Sequence, residues 1–288
     1  MTALFALATS LLWGLADFGG GALTRRMSAL TVVVVSQTVA AVVLGAVVTG
    51  TGAWGEAAPR LWFAVAAGVA GPVGMFAFYR ALALGPMGVV SPLGSVGAVV
   101  PVAVGVVLGE RPGPLRLAGA VVAAAGVVLA CGARGDGAHG APVRRQAVLL
   151  ALVAAGAFGT VMTLIAEASV TLPGLFLALF AQRVTNVVVG VPALAASVRR
   201  GTPALPAEGF PWRSLPALAL VGLADVGANG TYALAASRGP VVVAAVLASL
   251  CPVVTAIVAR VALRERLRGV QAAGAGVALA GTVLLAAG

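Results

Sequence analysis

Three charged residues stand within long apolar stretches of this sequence, and they are the first indication of chemistry. Asp17, Arg183 and Asp225 are each flanked by apolar residues. An ionisable side chain is costly to bury in such a segment, so each is a candidate functional residue. A carboxylate in this setting can bind a cation or a proton, whereas a guanidinium binds an anionic group or pairs with a carboxylate.

Asp225 begins a polar stripe on one helix. Asn229 follows at i+4 and Tyr232 at i+7, which places the three side chains on one face. One hypothesis is that the stripe lines a substrate cavity, where Asp225 binds a cation or a proton. The other is that Asp225 or Asp17 pairs with Arg183 between helices, because a buried pair costs less than either charge alone. The hypotheses overlap, since a substrate can break a pair that lies in a cavity.

A second polar group surrounds Arg183. Gln182 and Asn186 share a helix face, and Arg183 is turned about 100° from Gln182. Gln37 precedes Gln182 by 145 residues and occupies the equivalent place in the first half of the chain. Together with Tyr79, these side chains are expected to offer donors and acceptors to a polar metabolite. Alternatively, the amides bridge helices, which contributes only about 1 kcal/mol each.

The composition identifies the class of protein. The chain has 288 residues, of which 61% are hydrophobic and 9% charged, whereas a soluble domain carries about 25% charged residues. We therefore predict an all-α, multi-pass protein of the cell (inner or plasma) membrane, since the apolar runs are too long for barrel strands. Ten runs approach the spanning length of about 20 residues. They lie at about 2–23, 29–49, 61–82, 87–108, 115–132, 146–167, 174–197, 214–236, 241–262 and 268–287.

One pattern occurs twice, in residues 85–129 and 239–284. Each copy has a Gly-Pro start, an apolar run, a turn with Glu-Arg, and a second apolar run with two glycines seven residues apart. The polar segment 133–145 lies midway, which predicts a linker between two five-helix halves, 1–132 and 146–288. Because five is odd, the halves should cross the membrane in opposite directions. Such inverted repeats are common in transporters.

Short motifs extend this similarity between the halves. In the first half they are Trp13-Gly14, Tyr79 to Leu82 with Gly85-Pro86, Leu108 to Arg111, Gly119 and Gly126; in the second they are Gly239-Pro240, Pro252, Arg264 to Leu267, Gly274 and Gly281. With these motifs the chain resembles the EamA-type group of the drug/metabolite transporter superfamily. The resemblance implies a ten-helix carrier with cytoplasmic termini. The arginines that flank the predicted spans favour the opposite orientation.

Glu110 and Glu265 are the signature acids of that group. Each lies in a short turn with arginines around it. We expect them to cap the following helix and pair with those arginines instead of binding substrate.

The expected function is a secondary-active permease or exporter for a small polar or amphipathic metabolite, with alternating access between the two halves. A substrate gradient or an ion gradient would supply the energy, because no nucleotide-binding motif is present, and a coupling proton bound by Asp17 or Asp225 is one option. A flippase for a lipid or lipid-linked precursor is the alternative. The residues expected to bind substrate are Asp17, Gln37, Tyr79, Gln182, Arg183, Asn186, Asp225, Asn229 and Tyr232.

Other classes of function have little support in the sequence. A membrane-embedded enzyme is the least favoured class, because catalytic motifs are absent and His139 is the only histidine. No catalytic residue, metal site or cofactor is expected. The net charge of +10 is spread between apolar runs, which argues against nucleic-acid binding. The expected partners are a small substrate and membrane lipid, and the duplicated chain makes a monomer plausible.

Overall fold

The structure is a computed structural model that describes residues 1–107, 113–132, 144–168, 171–201, 203, 212–238, 241–264 and 269–287. Glu110, Glu265 and most of the predicted linker 133–145 lie outside the described residues. The helices are α1 (Thr2–Thr24), α2 (Ala29–Thr51), α3 (Leu61–Leu84), α4 (Met87–Ser95), α5 (Val99–Val107), α6 (Pro114–Gly132), α7 (Arg145–Ala168), α8 (Leu172–Arg199), α9 (Leu215–Ser237), α10 (Val241–Ala248), α11 (Cys251–Ala262) and α12 (Gly269–Ala287).

Six of the described helices are long and apolar enough to cross a membrane. They are α1, α2, α3, α7, α8 and α9, the last together with a short 3-10 turn before it. Shorter apolar helical stretches lie in α6, in α12 and across α10 and α11. The chain is therefore an all-α membrane protein, as predicted, whereas the count of ten spans stays a prediction.

Two of the predicted spans are not continuous helices. The run 87–108 contains α4 and α5 with a 3-10 turn between them, Val96–Ala98. The run 241–262 contains α10 and α11, and Pro252 lies in the first turn of α11. A proline has no amide hydrogen and its ring clashes with the preceding turn, so it is well tolerated in the first turn of a helix and kinks or breaks a helix in its interior. The breaks occupy equivalent places in the two copies of the repeat.

Each break packs against the first helix of the other predicted half. A Cβ atom on Gly14 of α1 would lie 2.9 Å from the carbonyl oxygen of Cys251. A Cβ atom on Gly159 of α7 would meet the carbonyl oxygen of Gly97. A glycine at both positions therefore lets α1 and α7 approach the backbone where the neighbouring helix is interrupted.

If the helices are numbered within each predicted half, each of the main contacts between the halves has an equivalent contact with the two halves exchanged. The first helix of one half packs along the third of the other, as α1 with α9 and α7 with α3. The second helix of each half also contacts the third helix of the other, as α2 with α9 and α8 with α3. The pairs α2–α8 and α6–α12 join equivalent helices. This pattern is that of an approximate two-fold axis between the halves.

The glycines of the repeated motif lie where α6 meets α12. A Cβ atom on Gly126 would meet the backbone of Ala278, and one on Gly281 would meet the backbone of Ala123. Gly119 is equally close to the backbone of α12. Small residues at such positions let two membrane helices pack backbone to backbone. The described part of the duplicated motif therefore serves the scaffold, because it joins the last helix of each half.

Gly281→Ala should destabilise the protein, because a methyl group overpacks the contact with Ala123 at a cost of about 1–3 kcal/mol. We expect a thermal unfolding temperature several degrees lower in detergent. Gly276→Ala on the same helix is the matched control, since no heavy atom lies within 4 Å of its Cβ position. The control should unfold like the wild type or slightly higher. Equal unfolding temperatures for both variants would contradict this role of α6 and α12.

Candidate functional site

A buried polar cluster lies where α1, α2, α8 and α9 converge. Arg183 Nη2 lies 2.9 Å from Asp225 Oδ2, and the two side chains are only 9% and 16% exposed. Arg183 Nη1 donates to Gln37 Oε1 at 3.1 Å. The structure therefore forms the ion pair between Arg183 and Asp225 that was one of the two pairings open from the sequence. The ion pair joins α8 to α9, and both of these helices contact α2.

Several buried atoms of this cluster keep free hydrogen-bonding capacity. Asp225 Oδ2 is at ion-pair distance from the guanidinium but is not aligned with it for a hydrogen bond. Arg183 Nε and Gln37 Nε2 donate to no residue that the structure describes. Buried polar atoms normally have a hydrogen-bond partner. These two donors and one acceptor are therefore available to a ligand.

Asp17 adds a second carboxylate to the cluster. It lies close enough to Asp225 for the two negative charges to interact, and it forms no ion pair within the described parts of the chain. Tyr79 of α3 is close enough to interact with both carboxylates and with Arg183, and its ring lies against Gly20 of α1. One guanidinium, paired with Asp225, and a second carboxylate near Asp225 thus lie together in an apolar bundle.

Asn186 supports the cluster from α8. Its Nδ2 donates to Gln37 Oε1 at 2.9 Å, whereas a rotated amide would donate to the carbonyl oxygens of Gly68 and Gln182. We favour the first orientation, because Arg183 can only donate and so fixes Gln37 Oε1 as an acceptor with two lone pairs. Gln182 is buried, but no hydrogen bond joins its side chain to the cluster.

The predicted stripe on α9 runs away from the cluster. Asn229 Nδ2 donates to the backbone carbonyl of Asp225 at 2.7 Å and to its Oδ1 at 3.4 Å. Tyr232 packs instead against Trp13 of α1, with 6.0 Å between ring centroids. Seven of the nine predicted residues therefore lie in or beside the cluster, whereas Gln182 and Tyr232 lie apart from it.

A second aromatic pair, Phe78 with Phe158, is the counterpart of Trp13 with Tyr232. Its ring centroids are 5.5 Å apart. Trp13 aligns with Phe158 with an offset of 145 residues, and Phe78 with Tyr232 with an offset of 154. The Gly-Pro motifs, which are also 154 residues apart, were the signal that could have predicted this equivalence.

The two aromatic pairs lie toward opposite membrane faces. Arg238, just after α9, stacks on the ring of Phe5 near the start of α1, so α1 and α9 are antiparallel. Tyr79 contacts Gly20, so α3 and α1 end on the same face. We call the face where α1 starts the terminus side, and the face where α1 ends, before Arg25, the arginine side.

The helices that lie between the cluster and each membrane face are packed differently on the two sides. On the arginine side α1 packs against α3, with Gly21 placed against Leu82. The equivalent helices α7 and α9 make at most marginal contact in the described residues. A cavity of about 580 Å³ on the arginine side is lined by residues that include Arg25, Arg26 and Arg80 and by none of the predicted site residues. The cluster is thus separated from the arginine side by the α1–α3 contact.

Comparisons with known proteins agree with this architecture. The model of the EamA-like transporter family matches residues 1–132 and 145–287. A crystal structure of another protein superposes with a TM-score of 0.60 at 22% sequence identity, covering 98% of this chain and 95% of that one. At this identity the likeness concerns the fold. No curated protein sequence matches the chain.

The charge balance of the cluster predicts unequal effects of two substitutions. Arg183→Gln leaves two carboxylates without a cation, and we expect it to lower the free energy of unfolding by about 3–5 kcal/mol. Asp225→Asn should cost less, because it removes the repulsion from Asp17 together with the ion pair. Thermal unfolding in detergent measures both, with Asp17→Asn as the control that removes repulsion alone. An equally large loss of unfolding free energy in Asp225→Asn and Arg183→Gln would contradict a surplus of negative charge in the cluster.

Proposed function

Because the chain belongs to the EamA-like transporter family, we propose that it is a secondary-active carrier for a small polar or amphipathic metabolite in the cell membrane. The observation that carries this proposal is the buried cluster in which Arg183 pairs with Asp225, while Asp17 lies near Asp225 without an ion pair among the described residues. It lies in the middle of helices that cross the apolar bundle. A structural ion pair alone would not need the second carboxylate or the unpaired buried donors.

The cluster has one more acid than base, which favours one additional positive charge. A net charge in an apolar bundle is costly, so the site gains free energy when it binds a cation. That charge is a coupling proton or a cationic group of the substrate. Arg183 Nε and Gln37 Nε2 supply donors for the polar groups of the substrate.

Alternating access is the mechanism that suits this architecture. We place the inverted halves at 1–132 and 146–288, with five spans each and a linker at 133–145. The paired helix contacts support an approximate two-fold axis between the halves. The close contact of α1 with α3 and the lack of a comparable one between α7 and α9 support a conformation closed toward the arginine side. In the opposite conformation, the two contacts exchange roles across the axis.

A sensitivity screen tests the carrier function without knowledge of the substrate. Cells that overproduce the chain and vector controls are grown with cationic, zwitterionic and anionic metabolites and toxins. We expect an altered tolerance to a restricted chemical class, and loss of that effect in a variant with Arg183→Gln that reaches the membrane. Identical tolerance of both cell lines to every compound would argue against a carrier.

Asp17→Asn tests the role of the surplus carboxylate. The compound from the screen is followed into proteoliposomes with and without a pH gradient. If Asp17 carries the proton, the variant loses stimulation by the gradient and keeps substrate exchange, because the ion pair is intact. Glu56→Gln, an exposed acid outside the cluster, is the matched control. Full stimulation in Asp17→Asn would exclude Asp17 as the proton carrier.

A disulfide tests whether the α1–α3 contact opens during transport. A Cβ atom on Gly21 would lie 2.7 Å from Leu82 Cβ. A disulfide needs a Cβ–Cβ distance of about 3.5–4.5 Å, so α1 and α3 must move apart by about 1 Å to form one. In a Cys131→Ala, Cys251→Ala background, oxidation of Gly21→Cys with Leu82→Cys should abolish transport, and reduction should restore it. Each single cysteine variant is the control. Undiminished transport by the oxidised double variant would show that this contact stays closed.

A further inference from the structure

A groove between α4, α11 and α12 lies apart from the polar cluster. It is a cavity of about 270 Å³ whose lining is apolar apart from one charged side chain, Arg260. Pro92, Ile257, Gly276 and Leu279 are among the lining residues. No residue of the predicted substrate site contributes to it, so the transport proposal leaves this groove unexplained.

α11 separates the groove from the cluster, because its two faces have different neighbours. Thr255 Oγ1 donates to the carbonyl oxygen of Gly14 at 3.2 Å, which fixes one face against α1. Val253, Ile257 and Arg260 lie on the other face, line the groove and are exposed. In a membrane this exposed face meets the hydrocarbon of the bilayer, so the groove opens to lipid.

Arg260 stands at the arginine-side end of the groove. It lies in the last turn of α11, and Gly88 at the start of α4 and Ala272 near the start of α12 line the same pocket. α4 begins directly after α3, which ends on the arginine side. Arg260 forms no ion pair with any described residue. A guanidinium at this depth, with no ion pair among the described residues, lies where lipid phosphates are found.

The two lining residues Arg260 and Gly276 have no counterparts of the same type in the other half of the chain. By the offsets of the repeat, Val106 stands where Arg260 would be and Val121 where Gly276 would be. Both valines are exposed. The charge and the open space are therefore additions to one copy, and the repeated scaffold does not require them.

We propose that this groove binds an anionic phospholipid. One acyl chain lies along Ile257, Gly276 and Leu279, and the phosphate accepts hydrogen bonds from the guanidinium of Arg260. The charge of the arginine selects an anionic headgroup. A chain bound there supports the face of α11 opposite to its contact with α1.

The test is lipid binding to the purified, delipidated full chain, measured by native mass spectrometry with phosphatidylglycerol and phosphatidylcholine of the same acyl chains. Arg260→Gln should weaken phosphatidylglycerol binding roughly fivefold, the effect of one basic residue at a membrane surface. Gly276→Leu should remove the bound lipid, because its side chain fills a space that no other atom occupies. The controls are Arg116→Gln, which is exposed outside the groove, and Gly269→Leu at the exposed start of α12.

The outcomes separate a specific site from general attraction. The proposal holds if Arg260→Gln and Gly276→Leu both lose phosphatidylglycerol while the controls keep it. It is overturned if Arg116→Gln weakens binding as much as Arg260→Gln, if Gly276→Leu binds normally, or if the wild type binds the two lipids equally. Thermal unfolding of each variant without lipid ensures that the compared proteins are folded.

Discussion

The ion pair between Arg183 and Asp225 inside an apolar bundle is the interaction on which the rest of this structure depends. Each charge is costly to bury alone, so the pair stabilises the convergence of α8 and α9 at the centre. Asp17 lies near Asp225 and leaves the cluster with one carboxylate more than it has guanidinium groups. Gln37 Oε1 accepts a hydrogen bond from the guanidinium, and Asn186 donates to the same oxygen. The result is a polar site with incomplete charge balance, which is the property a carrier needs for reversible binding.

The convergence of these helices depends on backbones that approach closely. Gly14 and Gly159 place α1 and α7 against interrupted helices, and Gly126 and Gly281 join α6 to α12. The same geometry in both halves explains why the helix contacts come in pairs. A scaffold built from paired contacts can exchange them, because closing one of two equivalent interfaces opens the other. In the described residues α1 packs against α3, whereas α7 and α9 make at most marginal contact, and the proposed alternating access would exchange these two contacts.

Specialisation of one half is visible beside this approximate symmetry. The charges of the cluster are distributed unequally, with Asp17 on one half and Arg183 and Asp225 on the other. Arg260 and Gly276, which line the groove, are replaced by Val106 and Val121 in the other copy. Both differences concern exposed or polar positions, whereas the glycines at helix contacts are kept in pairs. The repeat therefore supplies the frame, and the departures from it supply binding chemistry.

The sequence by itself determined the membrane class, the helical elements, the doubled motif and the family. These follow from composition and from spacing along the chain, which are local properties. The tertiary structure alone decided that Asp225 forms the ion pair and that Asp17 lies beside it, because helical periodicity gives the face of a residue and not the helix it meets. The same limit explains Tyr232, which lies seven residues after Asp225 on the same face of α9. Its ring packs against Trp13 of α1 and not into the cluster. Pro252 marks the second helix break in the sequence, whereas only the tertiary structure places the two breaks against Gly14 and Gly159.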